Sequence, residues 1–330
     1  MRAESPGPAV GKLVPKVKTT AMILYGIYVV FTVIEIIALL IAGMPLFDSM
    51  TLTFGTVGTG GFGLLNSSIA SYSTAVQIII TVFMIICSIN FTVYYMFLIK
   101  RPKEALMCEE MRYYLLIVFG SALLIAFNIR ASFASFGKAF QQAIFQVASV
   151  ISTTGFATAD FNLWPEFSRM ILVLLMFVGA CAGSTGGGFK VSRLIIMVKS
   201  VRNEIMSVTH PRSVQKVHMD GRRIPDNVVK TVLCYLAGYV VILIVSVLLI
   251  SLDNFDMTTN FTAVMATFNN VGPGLNRVGP TGNFGGFSVL SKLVLMFDML
   301  VGRLELYPML VIFAPGLWRI HPHRHVGKVQ

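Results

Sequence analysis

Charge is scarce in this chain. Only 12% of its 330 residues are Asp, Glu, Lys or Arg, and just 15 of them are acidic. The few carboxylates form no pair suited to acid and base chemistry, there is no HExxH, and no Ser/His/Asp set lies near the glycine-bearing loops, so no enzymatic constellation presents itself. Cysteine is also sparse. Cys87, Cys181 and Cys234 fall in apolar runs and Cys108 in a basic stretch, with no metal-ligand spacing among them, so they read as small core or loop residues. His321, His323 and His325 cluster near the end of the chain and read as a solvated tail, because no framework for a metal surrounds them. The opening residues include Pro6, Pro8 and Pro15 and no apolar core, so no cleavable signal pattern is expected there.

What the chain has instead is hydrophobicity: 55% of its residues are apolar and its mean hydropathy is +0.76, far above an average soluble domain. The runs 22–42, 75–99, 115–127, 170–181 and 228–252 are nearly free of charge, and a bilayer core needs roughly 20 apolar residues per helix. The third and fourth runs need their flanks to span. A net charge of +11 raises the possibility of nucleic-acid binding, but the basic residues are interrupted by these runs rather than gathered in one patch. Twenty of the 26 Lys and Arg lie in segments 1–20, 99–113, 190–231 and 317–330, and only five in the alternating segments 43–74, 128–170 and 252–292. This is the positive-inside pattern of a multi-pass plasma-membrane or inner-membrane chain with both of its termini cytoplasmic, and it excludes a nucleic-acid partner.

The apolar runs come in pairs, and a shorter amphipathic stretch and a glycine-bearing loop lie between the members of each pair. The first unit comprises 20–42, 47–54, the loop Thr56-Val57-Gly58-Thr59-Gly60-Gly61-Phe62 and 73–100. The second comprises 111–128, 136–149, the loop Ile151-Ser152-Thr153-Thr154-Gly155-Phe156 and 166–199. The third comprises 227–252, 258–268, the loop Asn269-Asn270-Val271-Gly272-Pro273-Gly274 and 287–318. Half-length helices of roughly 8 to 14 residues reach about 12–21 Å, too short for a hydrocarbon core of about 30 Å, so they must dip in and turn back. Irregular backbone at that depth is tolerated only where protein buries it or a watery cavity borders it, so three such loops imply a shared cavity. Gly, Thr, Ser and Asn permit unusual torsions or offer small oxygens, which suits a cation stripped of its water. Asp160, just beyond the second loop, reads as a capping or solvated side chain rather than a cation funnel.

These residues resemble the TrkH, KtrB and HKT superfamily of potassium transporters, and its TrkH branch most. The resemblance rests on the three loops, on Gly183-Ser184-Thr185-Gly186-Gly187-Gly188-Phe189-Lys190 and on Gly302-Arg303-Leu304-Glu305. It implies an all-α integral membrane fold in which span, pore-helix and span units surround a pseudo-fourfold pore, and a pore-forming subunit for potassium uptake with no cofactor other than the transported K+. It implies a filter at Thr59, Gly60 and Gly61, at Thr153, Thr154 and Gly155, and at Asn270, Val271 and Gly272, whose backbone carbonyls hold K+. Alignment on the following Phe or Pro selects Gly61, Gly155 and Gly272, with Gly60 a close competitor. Their separations of 94 and 117 residues place a first filter before Met1. The chain is therefore expected to hold the C-terminal three of four repeats: a linker at 1–18, the second repeat at 19–103, the third with an intramembrane gate loop at 104–210, and the fourth with a tail at 211–330. A homodimer and a TrkA-like nucleotide-binding ring on the cytoplasmic face are the implied partners.

Segment 179–188 has five glycines in ten residues, and each interior helix glycine costs roughly 1 kcal/mol relative to alanine, so the helix should break there. The resemblance makes the break a gate at 182–189, with Gly183, Ser184, Thr185, Gly186, Gly187, Gly188 and Lys190 as its residues. A phosphate-cradling reading fails, because Phe189-Lys190-Val191 does not match the Gly-Lys-Ser/Thr ending of a Walker A loop. Arg303 lies within the last apolar run, where a charged side chain costs at least about 2.5–3.5 kcal/mol and so turns toward protein or water. The resemblance makes it an electrostatic barrier beneath the filter; the plainer alternative is a salt bridge to Glu305 or Asp298. Competing functions are a secondary transporter with broken helices, for which inverted repeats and buried acids are expected, and a fragment that conducts nothing.

Overall fold

The computed structural model describes residues 17–210 and 215–312, so most of the expected linker, the tail and its histidines lie outside the described residues. Thirteen α-helices make up about two thirds of the described chain. They are α1 (Val17–Ile41), α2 (Leu46–Val57), α3 (Thr74–Cys87), α4 (Phe91–Leu98), α5 (Pro102–Leu106), α6 (Glu109–Ile129), α7 (Phe136–Ile151), α8 (Glu166–Val178), α9 (Val191–Thr209), α10 (Asp226–Ile250), α11 (Met257–Phe268), α12 (Val289–Leu304) and α13 (Leu306–Ile312). One small hairpin departs from the all-α expectation: β1 (His218–Met219) pairs antiparallel with β2 (Arg222–Arg223). Asp220 and Gly221 both take positive φ at its tip, as the two-residue turn of a tight hairpin requires.

Helices α1, α6 and α10 are long and apolar enough to cross a membrane. They display Val30, Ile37, Leu116, Leu124, Val241 and Leu248 outward, a surface that water would not tolerate over so wide an area and that lipid accommodates. This is a membrane protein. The short helices α7 and α11 lie inward, α2 buries one face and exposes Phe47 and Phe54 on the other, and α7 is packed between α3, α6 and α8. Their starts are capped where side chains permit: Ser135 Oγ accepts from Lys138 N–H, and Asp256 accepts from both the Thr259 hydroxyl and its amide. Those bonds, the hydroxyl's first, hold the Asp256 carboxyl below the usual carboxylate range. Asp160 is also a cap, accepting from Asn162 N–H at 3.0 Å.

Two of the expected continuous spans are broken. The run at 73–100 bends by 88° between α3 and α4. No glycine or proline marks the bend; rather, Ser88 C=O accepts from Cys181 N–H and Phe91 N–H donates to Gly183 C=O, so another segment supplies the partners that a continuous helix would have. Asn90 then caps α4 by accepting from Thr92 N–H. The run at 287–318 breaks at Glu305, whose φ is +68°, between α12 and α13.

Candidate functional site

Each of α2, α7 and α11 ends in the same backbone figure. After the helix one residue adopts positive φ, Thr59 (50°), Thr153 (60°) or Asn270 (56°), and two residues later a glycine does so again: Gly61 (67°), Gly155 (85°) or Gly272 (100°). The amides of Gly60 and Gly61 both donate to Gly55 C=O, those of Thr154 and Gly155 to Ser149 C=O, and those of Val271 and Gly272 to Ala266 C=O. The N–H groups are thus folded back onto the helix ends, which leaves the loop carbonyls without those partners. This repeated figure pairs Gly61, not Gly60, with Gly155 and Gly272.

The loops touch one another in register. A Cβ on Gly61 would lie 1.7 Å from Thr154 O, and one on Gly155 would lie 2.0 Å from Val271 O, so each glycine is seated against the carbonyl that precedes the next loop's glycine. Gly272 meets nothing within 4 Å. The opposite edge is equally free. Phe156 is fully buried and would lie 3.0 Å from a Cβ on Gly55 of α2, whereas Phe62, its counterpart in the first loop, is 79% exposed. Three loops therefore follow one another around an arc with two open edges.

Beneath them lies the broken segment between α8 and α9. Gly179 (φ +69°), Gly183 (+69°) and Gly188 (+79°) take conformations that other residues rarely adopt, and Gly179 and Gly188 approach so closely that a Cβ on Gly179 would fall 2.7 Å from the Gly188 Cα. The expected helix break is present, and the segment touches the base of every loop. Gly187 N–H donates to Thr153 Oγ1 at 2.6 Å, Thr59 Oγ1 donates to Thr185 C=O at 2.9 Å, and a Cβ on Gly187 would stand 2.9 Å from Asn269 O. Ser184 closes the turn by donating to Cys181 C=O, and Lys190 donates through Nζ to Gly186 C=O.

Arg303 reaches the same place. Its guanidinium donates to Thr185 C=O at 3.2 Å and to Gly58 C=O at 3.5 Å. The salt-bridge alternative does not hold, since Glu305 pairs with Arg193 and Asp298 accepts from Ser246 Oγ at 2.8 Å. Gly302 explains how α12 comes so near, because a Cβ there would fall 1.8 Å from Phe268 O at the end of α11. The three loops, the segment 182–189 and Arg303 are thus in contact with one another.

Sequence reasoning missed three members of this assembly. Glu110, at the start of α6, is 3% exposed and accepts from Ala182 N–H and Ser192 N–H. Arg193 is 2% exposed, stands 4.0 Å from the Tyr235 ring centroid, donates to Phe189 C=O and pairs with Glu305. Asn90 marks the bend that receives the glycine segment. Charged residues inside otherwise apolar stretches were the only available signal, and for Glu110 it was hidden, because acidic residues commonly open helices.

No His/Cys/Asp/Glu group suited to a metal occurs among the described residues. The available chemistry is that of backbone and hydroxyl oxygens around a cationic guanidinium, which suits a weakly held monovalent cation better than a tightly bound divalent ion.

A family model described as TrkH, a cation transport protein, matches residues 2–320. The chain is 35% identical over 326 residues to the Trk system potassium uptake protein TrkH of Salmonella typhimurium, with 96% of this chain and 66% of that protein covered. It is 30% identical over 322 residues to the potassium uptake protein TrkG of Escherichia coli K12, again covering 96% and 66%. The chain thus spans just under two thirds of the length of these curated relatives. The crystal structure of the potassium transporter TrkH from Vibrio parahaemolyticus superposes with a TM-score of 0.85 at 33% identity, covering 94% of this chain and 68% of that one. With residues 2–320 matched by the family model and nearly its whole length aligned to these relatives, the chain belongs to the TrkH family of cation transport proteins.

Proposed function

We propose that this chain lines a potassium pathway, as the pore-forming part of a Trk-type uptake system. The observation that carries the reading is the threefold backbone figure: three glycines of positive φ, two of them, Gly61 and Gly155, pressed against the next loop's carbonyl, form an arc of oxygens whose amide partners point away. A ring of carbonyls replaces the hydration shell of K+. In this reading the filter oxygens come from Thr59, Gly60 and Gly61, from Thr153, Thr154 and Gly155, and from Asn270, Val271 and Gly272. The units 19–103, 104–210 and 211–330 each contribute one side.

The segment 182–189 acts as the gate beneath the filter. It is favoured in that role because it bonds Thr59 and Thr153 and lies against Asn269, the bases of all three loops. Arg303, donating to Thr185 C=O, places positive charge at the same level and repels cations while the segment is seated. Deleting 182–189 in the complete transporter is expected to raise potassium flux into proteoliposomes several-fold. Unchanged flux from a normally folded variant would return the segment to a passive hinge.

The free edges at Phe62 and Gly272 call for a fourth loop, supplied by another segment or another chain. Reconstituted alone, the 330 residues should show no preference for K+ over Na+, and the preference should appear when a fourth loop is provided. Selective flux from the purified chain alone would overturn this part of the proposal. The family resemblance extends the proposal to a multi-pass arrangement with basic loops in the cytoplasm, a homodimer, and a TrkA-like nucleotide-binding ring facing the basic segment 190–231.

A further inference from the structure

Two consecutive residues at the start of α6 face in different directions and tie two distant parts of the chain together. Glu110 is buried, and one carboxylate oxygen, Oε1, accepts from Ala182 N–H at 2.6 Å and from Ser192 N–H at 3.1 Å. These amides lie on opposite sides of the glycine-rich stretch, one within the broken segment and the other in the first turn of α9. A single carboxyl oxygen shared by both ends fixes the distance between them. Ala182 follows Cys181, whose N–H donates to Ser88 C=O in the bend between α3 and α4, so the same hold also sets the segment into that bend.

Glu109, one residue earlier, is engaged on the other side. Its N–H donates to Asp220 Oδ1 at 2.7 Å, and its carboxylate pairs with Lys199 of α9, which also donates to His218 C=O at 2.7 Å. Asp220 and His218 belong to the β1–β2 hairpin. The hairpin, the start of α6 and the middle of α9 thus form one small polar joint, whose next residue carries the hold on the glycine segment. Arg222 and Arg223 leave the outer strand of the hairpin exposed and cationic.

We infer that Glu110 is the positioning residue that keeps the segment 182–189 seated, and that the β1–β2 hairpin, through Asp220 and Glu109, sets how firmly it holds. Displacing the hairpin moves the first turn of α6 and withdraws the acceptor from both amides at once. The link from a seated segment to a closed pore rests on the function proposed above; the hold itself does not.

Hydrogen exchange followed by mass spectrometry on the full-length protein in detergent tests this directly. Glu110→Ala is expected to speed exchange of amides in 180–192 by about tenfold or more, with α1 and α10 unchanged, because local opening exposes only the amides it frees. Glu110→Gln retains a carbonyl oxygen at the same place and should restore most of the protection, which a merely space-filling role would not predict. Asp220→Ala, which touches neither Ala182 nor Ser192, should speed exchange in the same peptide to a smaller degree and covers the case in which Glu110→Ala fails to fold. Wild-type exchange in 180–192 for Glu110→Ala, or for Asp220→Ala where the first variant does not fold, would overturn the inference. Faster exchange without any rise in potassium flux would leave the hold in place and refute the gate reading instead.

Discussion

In the complete transporter, with a fourth loop present, replacing Gly155 by alanine is expected to abolish selective ion passage. Two costs coincide there. The backbone at Gly155 has φ +85°, a conformation that costs an L-residue roughly 1–2 kcal/mol. The added Cβ would also fall 2.0 Å from Val271 O and 3.1 Å from Pro273 Cδ, and backbone oxygen in a neighbouring loop cannot rotate away as a flexible side chain would. The second and third loops must separate, and the carbonyl arc opens. A control isolates the steric part: Gly43, also at φ +85° but with nothing within 4 Å, bears the conformational cost alone, so Gly43→Ala should lower stability by about 1 kcal/mol and leave the loops undisturbed. Potassium and sodium flux in proteoliposomes, compared at matched reconstitution, measures both. Wild-type selectivity in Gly155→Ala would mean that the loops do not form the pathway.

Removing Arg193 should produce the largest loss of stability. Its side chain is 2% exposed, and its partner Glu305 is 15% exposed. Breaking such a pair from one side leaves an uncompensated buried charge, at a cost of about 3–5 kcal/mol. Arg193 also stands over the Tyr235 ring at 4.0 Å and donates to Phe189 C=O at 2.9 Å, so its removal loosens the last residue of the proposed gate segment as well. Glu305 occupies the break between α12 and α13, with φ +68°, and the pair therefore joins that break to the one before α9. Arg193→Met should lower the thermal midpoint in detergent markedly, and the double variant Arg193→Met, Glu305→Met should recover part of the loss, because no charge is then left unpaired. Additive losses in the double variant would show that the two side chains act independently.

Both predictions concern contacts that no local pattern announces, and this separates what was legible in the chain from what was not. Length and apolarity of α1, α6 and α10 follow from runs of residues that only lipid or a large core can accommodate, so the membrane class was readable directly. That α2, α7 and α11 stop short of spanning was readable because each is too short and is followed by Gly, Ser or Asn. The break after Val178 was likewise local, since five glycines in ten residues cannot sustain a helix. The bend at Ser88–Asn90 was not. Its residues tolerate a helix, and it exists because Cys181 and Gly183, more than 90 positions later, provide the hydrogen bonds.

Sequence by itself therefore determined the solvent this protein lives in, the kinds of element it forms and the residues that gather at one site, because hydrophobic length, helix propensity and glycine torsions act over a few neighbouring residues. Tertiary structure alone decided how that site is held. Arg303 turns to the carbonyls of Thr185 and Gly58 rather than to an acid, Glu305 is taken by Arg193, and Glu110 serves both Ala182 and Ser192, across separations of 72 to 245 residues. The physical reason is that a buried polar group bonds to whichever partner the fold brings within about 3 Å, and in a membrane interior no water competes for the place.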